Sequence, residues 1–362
     1  MSLRRAEGAA AAVAAAFALL WPSVAGAVAD NDIVLGGLVI RCGTDDDGGM
    51  LPCFDPSGMG NPTAQDPLSK SRYKLLGYQL GVALAPHFLA PAETLGYNGF
   101  QVSIETTFTT FNRTEDYWKF GTERHSPGTF GGSGDSGVLH LTTIMVRKGL
   151  PWSIEIAAGG SYLSNSEIAT GNLQVKWSIF EGFYDLIGGV GQFLPDIAVR
   201  GSVSRAIGTG ELDLTVSGFD ISASKPFGIG GMWSLTPYLG WHYLIVSLRS
   251  EVVDFTPEVP SGSVEVPCVA PGDPPGCGRF SLTGGKARHN DVFQDEDIIV
   301  PGSFFGGFRI IYSHLSLVAE VAYVPGLTEV APSVVLQDGS QQDIRMTADA
   351  QWSFSFALAG DF

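Results

Sequence analysis

The stretch that decides the fold is QWSFSFALAGDF, residues 351–362, at the carboxy terminus. Large apolar side chains stand at every second position, and small or polar side chains fill the positions between them. The apolar set consists of Trp352, Phe354, Phe356 and Leu358, and the last residue is Phe362. A repeat of two residues predicts a β-strand with one apolar face and one polar face.

Segments with the same repeat occupy most of the chain upstream of this strand. Clear examples begin at Phe100, Trp152 and Leu173. The segments run about 10 to 14 residues, longer than the ~5 to 6 of a soluble strand and close to the ~9 to 11 of a tilted transmembrane strand. Aromatic residues lie near several segment ends, as in the interfacial belts of a membrane barrel. The pattern therefore favours a transmembrane β-barrel over a soluble β-sandwich, which also alternates.

Composition removes several other classes of protein. Apolar residues make up 44% of the 362 residues and charged residues only 16%, which excludes a disordered chain. The formal net charge of -16 leaves no basic surface for phosphates, so we expect no nucleic-acid partner. The glycine-rich residues 130–137 do not lead from a strand into a helix, as a phosphate cradle requires. We therefore expect no cofactor.

The carboxy-terminal strand resembles the sorting signal of bacterial outer-membrane β-barrel proteins, in which a last amphipathic strand closes with an aromatic residue, usually Phe. The resemblance covers residues 351–362 alone. It implies an all-β, antiparallel, up-and-down barrel in the outer membrane of a Gram-negative bacterium. It also implies contact with outer-membrane lipid and lipopolysaccharide, and with the machinery that assembles such barrels. It indicates no subfamily and supplies no functional residues.

Residues 1–29 predict a secretory signal peptide. Arg4 and Arg5 precede an apolar stretch from residue 9 to residue 21, and the small residues up to Ala27 and Ala29 suit cleavage. The alternative is a membrane anchor, which needs about 20 apolar residues and gets fewer here. The mature chain, residues 30–362, is then predicted to be a single barrel domain.

Connection lengths predict the direction of each strand, because such barrels have short periplasmic turns and longer outer loops. With the last strand ending in the periplasm, the two longest connections, residues 112–136 and 250–297, both fall outside. About eleven strands follow from Tyr73 onward, and an even number requires one more, for which residues 31–41 are the candidate. We therefore predict about twelve strands. The alternative for residues 30–72 is a periplasmic arm or a plug in the lumen.

The cysteines form two close pairs in predicted outer loops. Cys42 with Cys53, and Cys268 with Cys277, would each close a short ring. An exported chain meets an oxidising compartment, so we predict two local disulfides, although four cysteines permit three connectivities. Zinc is the weaker alternative, because the clustered histidines of such sites are lacking.

Asp45, Asp46 and Asp47 are weak candidates for a divalent cation. They are followed by two glycines but fall short of the calcium-loop pattern with its distal Glu. We therefore predict a solvated acidic loop tip and no metal site.

The polar strand faces are predicted to line the lumen. Taking the apolar set of each strand as the outer face places eight charged side chains inside: Glu105, Glu155, Lys176, Asp196, Arg200, Asp213, Arg309 and Glu320. The hairpin centre makes Glu155 and Lys176 direct cross-strand partners. The other opposite charges predicted to be near neighbours are Arg200 with Asp213 and Arg309 with Glu320.

This mixed-charge lumen favours a passive, porin-like channel for a small solute that the sequence does not identify. The alternative is a structural or surface-binding barrel in which the same charges cross-link and fill the bore.

An enzyme is the weakest interpretation. Outer-membrane phospholipases use a Ser/His pair on the outer barrel surface, but the face assignment points His140 and His242 inward and puts His314 in an inner turn. A surface protease needs His and acids at the outer rim, where His125 and His289 lie in predicted loops. No set of residues forms a recognisable nucleophile, base and orienting group, so we predict no catalytic residues.

Overall fold

A computed structural model describes residues 31–38, 66–87, 89–122, 136–181, 194–230, 232–254, 290–335 and 341–362, together with residue 64 and five two-residue strands in the loops between them. The predicted signal peptide, the four cysteines and the three acidic residues 45–47 lie outside the described residues. Those predictions therefore remain predictions. Among the helices of the described chain, none is both long enough and apolar enough to cross a membrane.

Ten antiparallel strands of the described chain close into a barrel. The strands are β1 Phe100–Asn112, β2 Ser136–Leu150, β3 Ile154–Leu163, β4 Ala169–Phe180, β5 Asp196–Ile207, β6 Leu212–Ser224, β7 Trp233–Ser250, β8 Glu296–Tyr312, β9 Leu315–Val324 and β10 Gln351–Asp361. Each pairs with its neighbour along the chain, and β10 closes the ring against β1. The predicted fold class, an antiparallel up-and-down transmembrane barrel, is confirmed.

The burial pattern of the wall is inverted relative to a soluble protein. In β10, Trp352 is 46% exposed and Phe356 is 50% exposed, whereas Ser353 and Ser355 are each 1% exposed. The same alternation runs through β1, where Ile104 is exposed and Glu105 is buried. An apolar surface of this extent is stable only in hydrocarbon, and a sheet in hydrocarbon must close because its edges find no water there.

The two ends of the barrel differ in their connections. Short turns, such as residues 313–314 between β8 and β9, lie at the end where Phe100 and Phe362 meet, with the Phe100 N–H donating to the Phe362 carbonyl over 3.0 Å. The strand ends that bound the two longest connections, Ser250 with Glu296 and Val324 with Gln351, lie at the other end. By this asymmetry the first end is periplasmic and the second is the outer end.

The segment predicted as a strand from Tyr73 is instead a helix inside the barrel. Helix α1, Pro67–Leu84, begins after Asp66 with Pro in its first turn, and 15 of its 18 residues are buried. A helix buried on all sides shows little contrast between its faces, so its apolar run also fits a repeat of two residues. Gly77 and Gly81, one helical turn apart, lie directly against the Leu248 and Val246 side chains of β7.

Residues 31–41 also do not supply a barrel strand in the part that the structure describes. Leu35–Leu38 is a single 3-10 turn, and Ile33 forms an isolated bridge with Thr122. Two of the twelve predicted strands were therefore wrong. The physical reason is that α1 lies in the lumen and residues 33–38 lie at the outer mouth. Their apolar side chains are buried in a core there and do not face lipid from a strand.

The outer end carries two further elements. The short helix α2, Asp116–Gly121, follows β1, and a hairpin of strands Leu327–Val335 and Gln341–Ala348, here called the outer hairpin, continues β9 and β10. Both pack on α1. The two strands between β9 and β10 thus form a folded element over the barrel mouth.

Candidate functional site

The lumen is the candidate site, and its outer half is an apolar core. The buried cluster joins α1 to inward side chains of the wall, including Leu139, Leu214, Leu244, Val246 and Leu248. A Cβ placed on Gly77 would lie 2.1 Å from the Leu248 Cδ1 atom, so the helix axis lies as close to the wall as side chains permit. The side chains of this half pack as they do in the core of a soluble domain.

Polar side chains of α1 form hydrogen bonds and an ion pair with α2 and with residues at either end of the outer hairpin. The Gln79 side-chain oxygen accepts a hydrogen bond from the Trp118 indole N–H, and its Nε2 donates to the Asp349 carbonyl over 3.3 Å. The Tyr78 hydroxyl donates to the Pro325 carbonyl over 2.5 Å, and burial raises the pKa of Tyr78 to about 12. Arg72 Nη2 lies 3.1 Å from Asp116 Oδ2 in α2, although burial lowers the Arg72 pKa. These contacts join α1, α2 and the outer hairpin.

The first residues described are bound at the outer end as well. The Asn31 N–H donates to the Asn165 carbonyl over 2.9 Å, and the Leu35 N–H donates to Glu211 Oε2 over 2.6 Å. Asn165 and Glu211 belong to outer connections of the barrel. Residues 31–35 therefore lie at the outer mouth, whereas the chain enters β1 at the periplasmic end.

The periplasmic half is occupied by residues 85–87 and 89–99, here called the lumen segment. Lys176 Nζ donates to the carbonyls of Pro91 and Glu93, over 3.2 and 2.8 Å. The Leu95 N–H donates to Glu155 Oε2 over 3.1 Å. Inward side chains of the neighbouring strands β3 and β4 thus hold the backbone of this segment inside the bore.

Seven of the eight predicted lumen residues lie on the inner face and are buried. They are Glu105, Glu155, Lys176, Asp196, Arg200, Arg309 and Glu320. The predicted cross-strand partners Glu155 and Lys176 are opposite each other in the register of β3 and β4, with Oε1 and Nζ 3.1 Å apart. This pairing is confirmed.

Asp213 is a correction, because it lies on the outer face near the rim. Its carboxylate pairs with Arg205 at 2.7 Å, with 35% and 67% of the two side chains exposed. Leu212 and Leu214 point inward against the apolar core instead. The rule that apolar side chains face lipid fails wherever the lumen itself is apolar.

Arg309 and Glu320 are diagonal neighbours in the register of β8 and β9, as predicted, but both arginines of the predicted pairs have their ion pairs elsewhere. Arg200 Nε lies 3.2 Å from Asp220 Oδ2 rather than beside Asp213. Arg309 forms an ion pair with Glu93 of the lumen segment. Glu320 accepts a hydrogen bond from the Tyr238 hydroxyl over 2.9 Å.

Sequence reasoning missed Arg147, which is 1% exposed. Its Nη2 lies 2.7 Å from Glu105 Oε1, and its Nη1 donates to Gln101 Oε1 and Ser103 Oγ over 3.0 and 2.9 Å. Arg147 precedes Lys148, so one of the two must face inward. Val146 is apolar and two residues from Lys148, so it indicates that Val146 and Lys148 share the lipid face and that Arg147 faces the lumen.

Two cavities lie among the described residues of the lumen and its periplasmic end. One, beside His87 and His242, has a volume of about 20 Å³, which is room for about one water molecule. A cleft of about 300 Å³ opens at the periplasmic end, between the start of β1 and Arg309, His314 and Asp361. Within the described residues, no group of three or more His, Cys, Asp or Glu side chains is placed to hold a metal ion.

The histidines differ from their predicted positions in one case. His242 is buried on the inner face, and His314 lies in a periplasmic turn, as predicted. His140 is a correction, because it lies on the outer face of β2, between the inward Leu139 and Leu141. His125 and His289 lie outside the described residues.

Comparison with known proteins finds only distant similarities. No protein-family model and no curated protein matches the chain. Similar solved structures include the attachment invasion locus protein Ail of Yersinia pestis, 10% identical over 74% of this chain and 99% of Ail, with a TM-score of 0.23. They also include the translocator domain of the autotransporter NalP from Neisseria meningitidis, 10% identical over 81% and 98% of the two chains, with a TM-score of 0.28.

A FadL homologue of Pseudomonas aeruginosa is 8% identical over 77% of this chain and 95% of its own, with a TM-score of 0.24. Scores this low carry no argument about this chain. The chain's own closed sheet, apolar outer face and polar inner face carry the assignment: in fold it is an outer-membrane β-barrel.

Proposed function

We propose that this protein is a plugged outer-membrane barrel that supports a folded binding surface at the cell exterior and does not conduct solutes at rest. The observation that carries the proposal is the filled lumen. An apolar core occupies its outer half, and wall side chains hold the lumen segment across its periplasmic half. A porin needs an open, wet path through the same volume.

The outer surface is the second part of the proposal. The amino-terminal residues 31–38, α2 and the outer hairpin all contact α1 or one another. Helix α1 thereby fixes the relative positions of elements that come from distant parts of the chain. Such a rigid platform suits recognition of a partner, because little conformational entropy is lost on binding.

Several partners belong to this proposal. Outer-membrane lipid and lipopolysaccharide would contact the apolar belt and the rim, and the barrel assembly machinery would read the carboxy-terminal strand. The predicted disulfides Cys42 with Cys53 and Cys268 with Cys277 would stiffen the outer loops.

A passive channel is the second candidate. The polar inner face of the periplasmic half and the cleft at that end favour it. A channel would require that the lumen segment leave the bore, because Lys176 and Glu155 now hold its backbone there.

Planar-bilayer recording tests the proposal. The folded barrel is expected to show no steady unitary conductance, and a variant lacking residues 31–98 is expected to conduct. A second variant, Gly81→Leu, keeps the full chain but drives a side chain into Val246, and is expected to give intermittent openings. Gly171→Leu, at a wall position with nothing within 4 Å of an added Cβ, is the matched control. Steady conductance of the unaltered barrel would overturn the proposal.

A further inference from the structure

The outer face of β2 carries an imidazole flanked by two hydroxyl groups. His140 Nδ1 lies 2.8 Å from Ser164 Oγ, and His140 Nε2 lies 2.8 Å from Thr106 Oγ1. The imidazole is stacked on the Phe108 ring, with centroids 4.8 Å apart and an interplanar angle of 13°. Both ring nitrogens and the ring plane are therefore fixed.

His140 lies on the lipid-facing side of the barrel, where placing an ionisable side chain costs free energy. Among the Asp, Glu, Lys, Arg and His side chains on the outer faces of the described barrel strands, His140 alone lies more than three residues from both ends of its strand. Ionisable side chains that face lipid are rare, and they indicate a function when they occur. Ser164 follows the last residue of β3 and lies at the outer rim, where water and lipid meet.

The hydrogen-bond geometry assigns roles to the three side chains. A neutral imidazole offers one acceptor and one donor. When Ser164 donates to Nδ1, Nε2 carries the proton and donates to Thr106, which holds the ring in that tautomer. His140 is then placed to remove the Ser164 proton, which is the arrangement of an activated serine nucleophile.

The surroundings indicate the class of substrate. Phe108 and Val138, beside the imidazole on the outer face, are 38% and 48% exposed and present an apolar surface. An acyl chain could lie on that surface while its ester reaches Ser164 at the rim. We propose that Ser164, His140 and Thr106 form a site for hydrolysis of acyl esters of outer-leaflet lipids, with Thr106 as a positioning residue.

The reaction balances with water as the only co-reactant. Ser164 Oγ bonds to the acyl carbon, and its proton passes to His140 Nδ1. The bond from the acyl carbon to the alcohol oxygen breaks, and that oxygen takes the proton from His140. Water then attacks the acyl-serine ester, with His140 again as the base, which releases the fatty acid and restores the Ser164 hydroxyl.

Covalent labelling tests the nucleophile directly. The full-length barrel, refolded in detergent, is treated with a fluorophosphonate and digested for mass spectrometry. The adduct is expected on Ser164 and is expected to be lost in S164A and reduced about 100-fold or more in H140A. S217A and H314A, which remove a lipid-facing hydroxyl and an exposed imidazole elsewhere, are the matched controls and should label at the unaltered rate.

Hydrolysis of a phospholipid in mixed micelles gives the second readout. Substitution of Thr106 by Val should lower the rate constant at saturating substrate more than it changes KM, and Thr106→Ser should restore most of the rate. If the hydrogen bond between His140 and Ser164 only stabilised the fold, S164A and H140A would have lower thermal stability and the unaltered protein would carry no adduct on Ser164. That result, or equal rates in unaltered protein and S164A, would overturn the proposal. The site lies outside the lumen, so this test and the conductance test fail independently.

Discussion

The two halves of the lumen are filled by different physical means. In the outer half, α1 packs on leucine and valine side chains of the wall, and the contacts are apolar and non-directional. In the periplasmic half, buried ion pairs and hydrogen bonds hold the lumen segment through its backbone and through the Glu93 side chain. In an apolar core, the free energy of unfolding falls with the volume of the side chain that is removed. In a buried charge network, removing one partner leaves an uncompensated buried charge, which is strongly destabilising. The halves should therefore respond differently to single substitutions.

The largest effect is expected in the periplasmic half. Arg147→Ala leaves Glu105 buried and without its cation, which should lower the free energy of unfolding by about 3–5 kcal/mol. Denaturant unfolding in detergent measures this. Arg205→Ala removes an exposed ion pair with Asp213 and should cost about 0–1 kcal/mol. Equal losses in the two variants would remove the distinction between buried and rim pairs.

A double variant sharpens that result. Replacing Arg147 and Glu105 together by Met removes both charges, and it should restore much of the stability that Arg147→Ala loses. If the double variant is no more stable than Arg147→Ala, the loss in Arg147→Ala does not come from the unpaired charge of Glu105.

The outer half should show a graded response. Leu80, in α1, is fully buried, and Leu80→Ala should lower the free energy of unfolding by about 2–5 kcal/mol because it leaves a cavity. Leu239, in β7, is 68% exposed on the lipid face, and Leu239→Ala is the control with a smaller loss. A loss at Leu239 as large as that at Leu80 would contradict a packed core inside the barrel.

The smallest effect concerns the contact between α1 and the start of the outer hairpin. Tyr78→Phe removes the hydrogen bond to the Pro325 carbonyl and should cost about 0.5–1.5 kcal/mol at neutral pH. The folded-state pKa of Tyr78 is about 12 against an ordinary 10, so the unfolded chain loses this proton first as pH rises. Stability should fall between pH 10 and 12, and by less in Tyr78→Phe. An identical pH profile in both proteins would contradict this.

The wall could be predicted from the sequence, because the repeat of two residues reports a sheet with different environments on its two faces. Glu155 and Lys176 could even be paired from the hairpin centre. The contents of the barrel could not be predicted by the same rule. The run from Tyr73 to Leu84 is apolar nearly throughout, and the helix signals were the Asp66 and Pro67 start and the spacing of Gly77 and Gly81.

The errors at Asp213 and His140 have one cause. Both lie on the outer face of strands whose inner side chains, such as Leu214 and Leu141, belong to the apolar core around α1. Without knowledge of a plug, apolar side chains are assigned to lipid and the polar ones between them to the lumen. The face of a barrel strand therefore depends on what fills the barrel, which local sequence does not report.

Disulfide trapping of the lumen segment against the wall tests the filled lumen most directly. The Ala92 N–H donates to Ser224 Oγ over 3.0 Å, so Ala92→Cys with Ser224→Cys should cross-link in isolated outer membranes, as read by mass spectrometry of the linked peptides. Ala92→Cys with Ala223→Cys, the adjacent residue on the lipid face, should not cross-link. Efficient linkage of the first pair alone is the predicted result. Absence of that linkage, or equal linkage of both pairs, would contradict a lumen segment held inside the barrel.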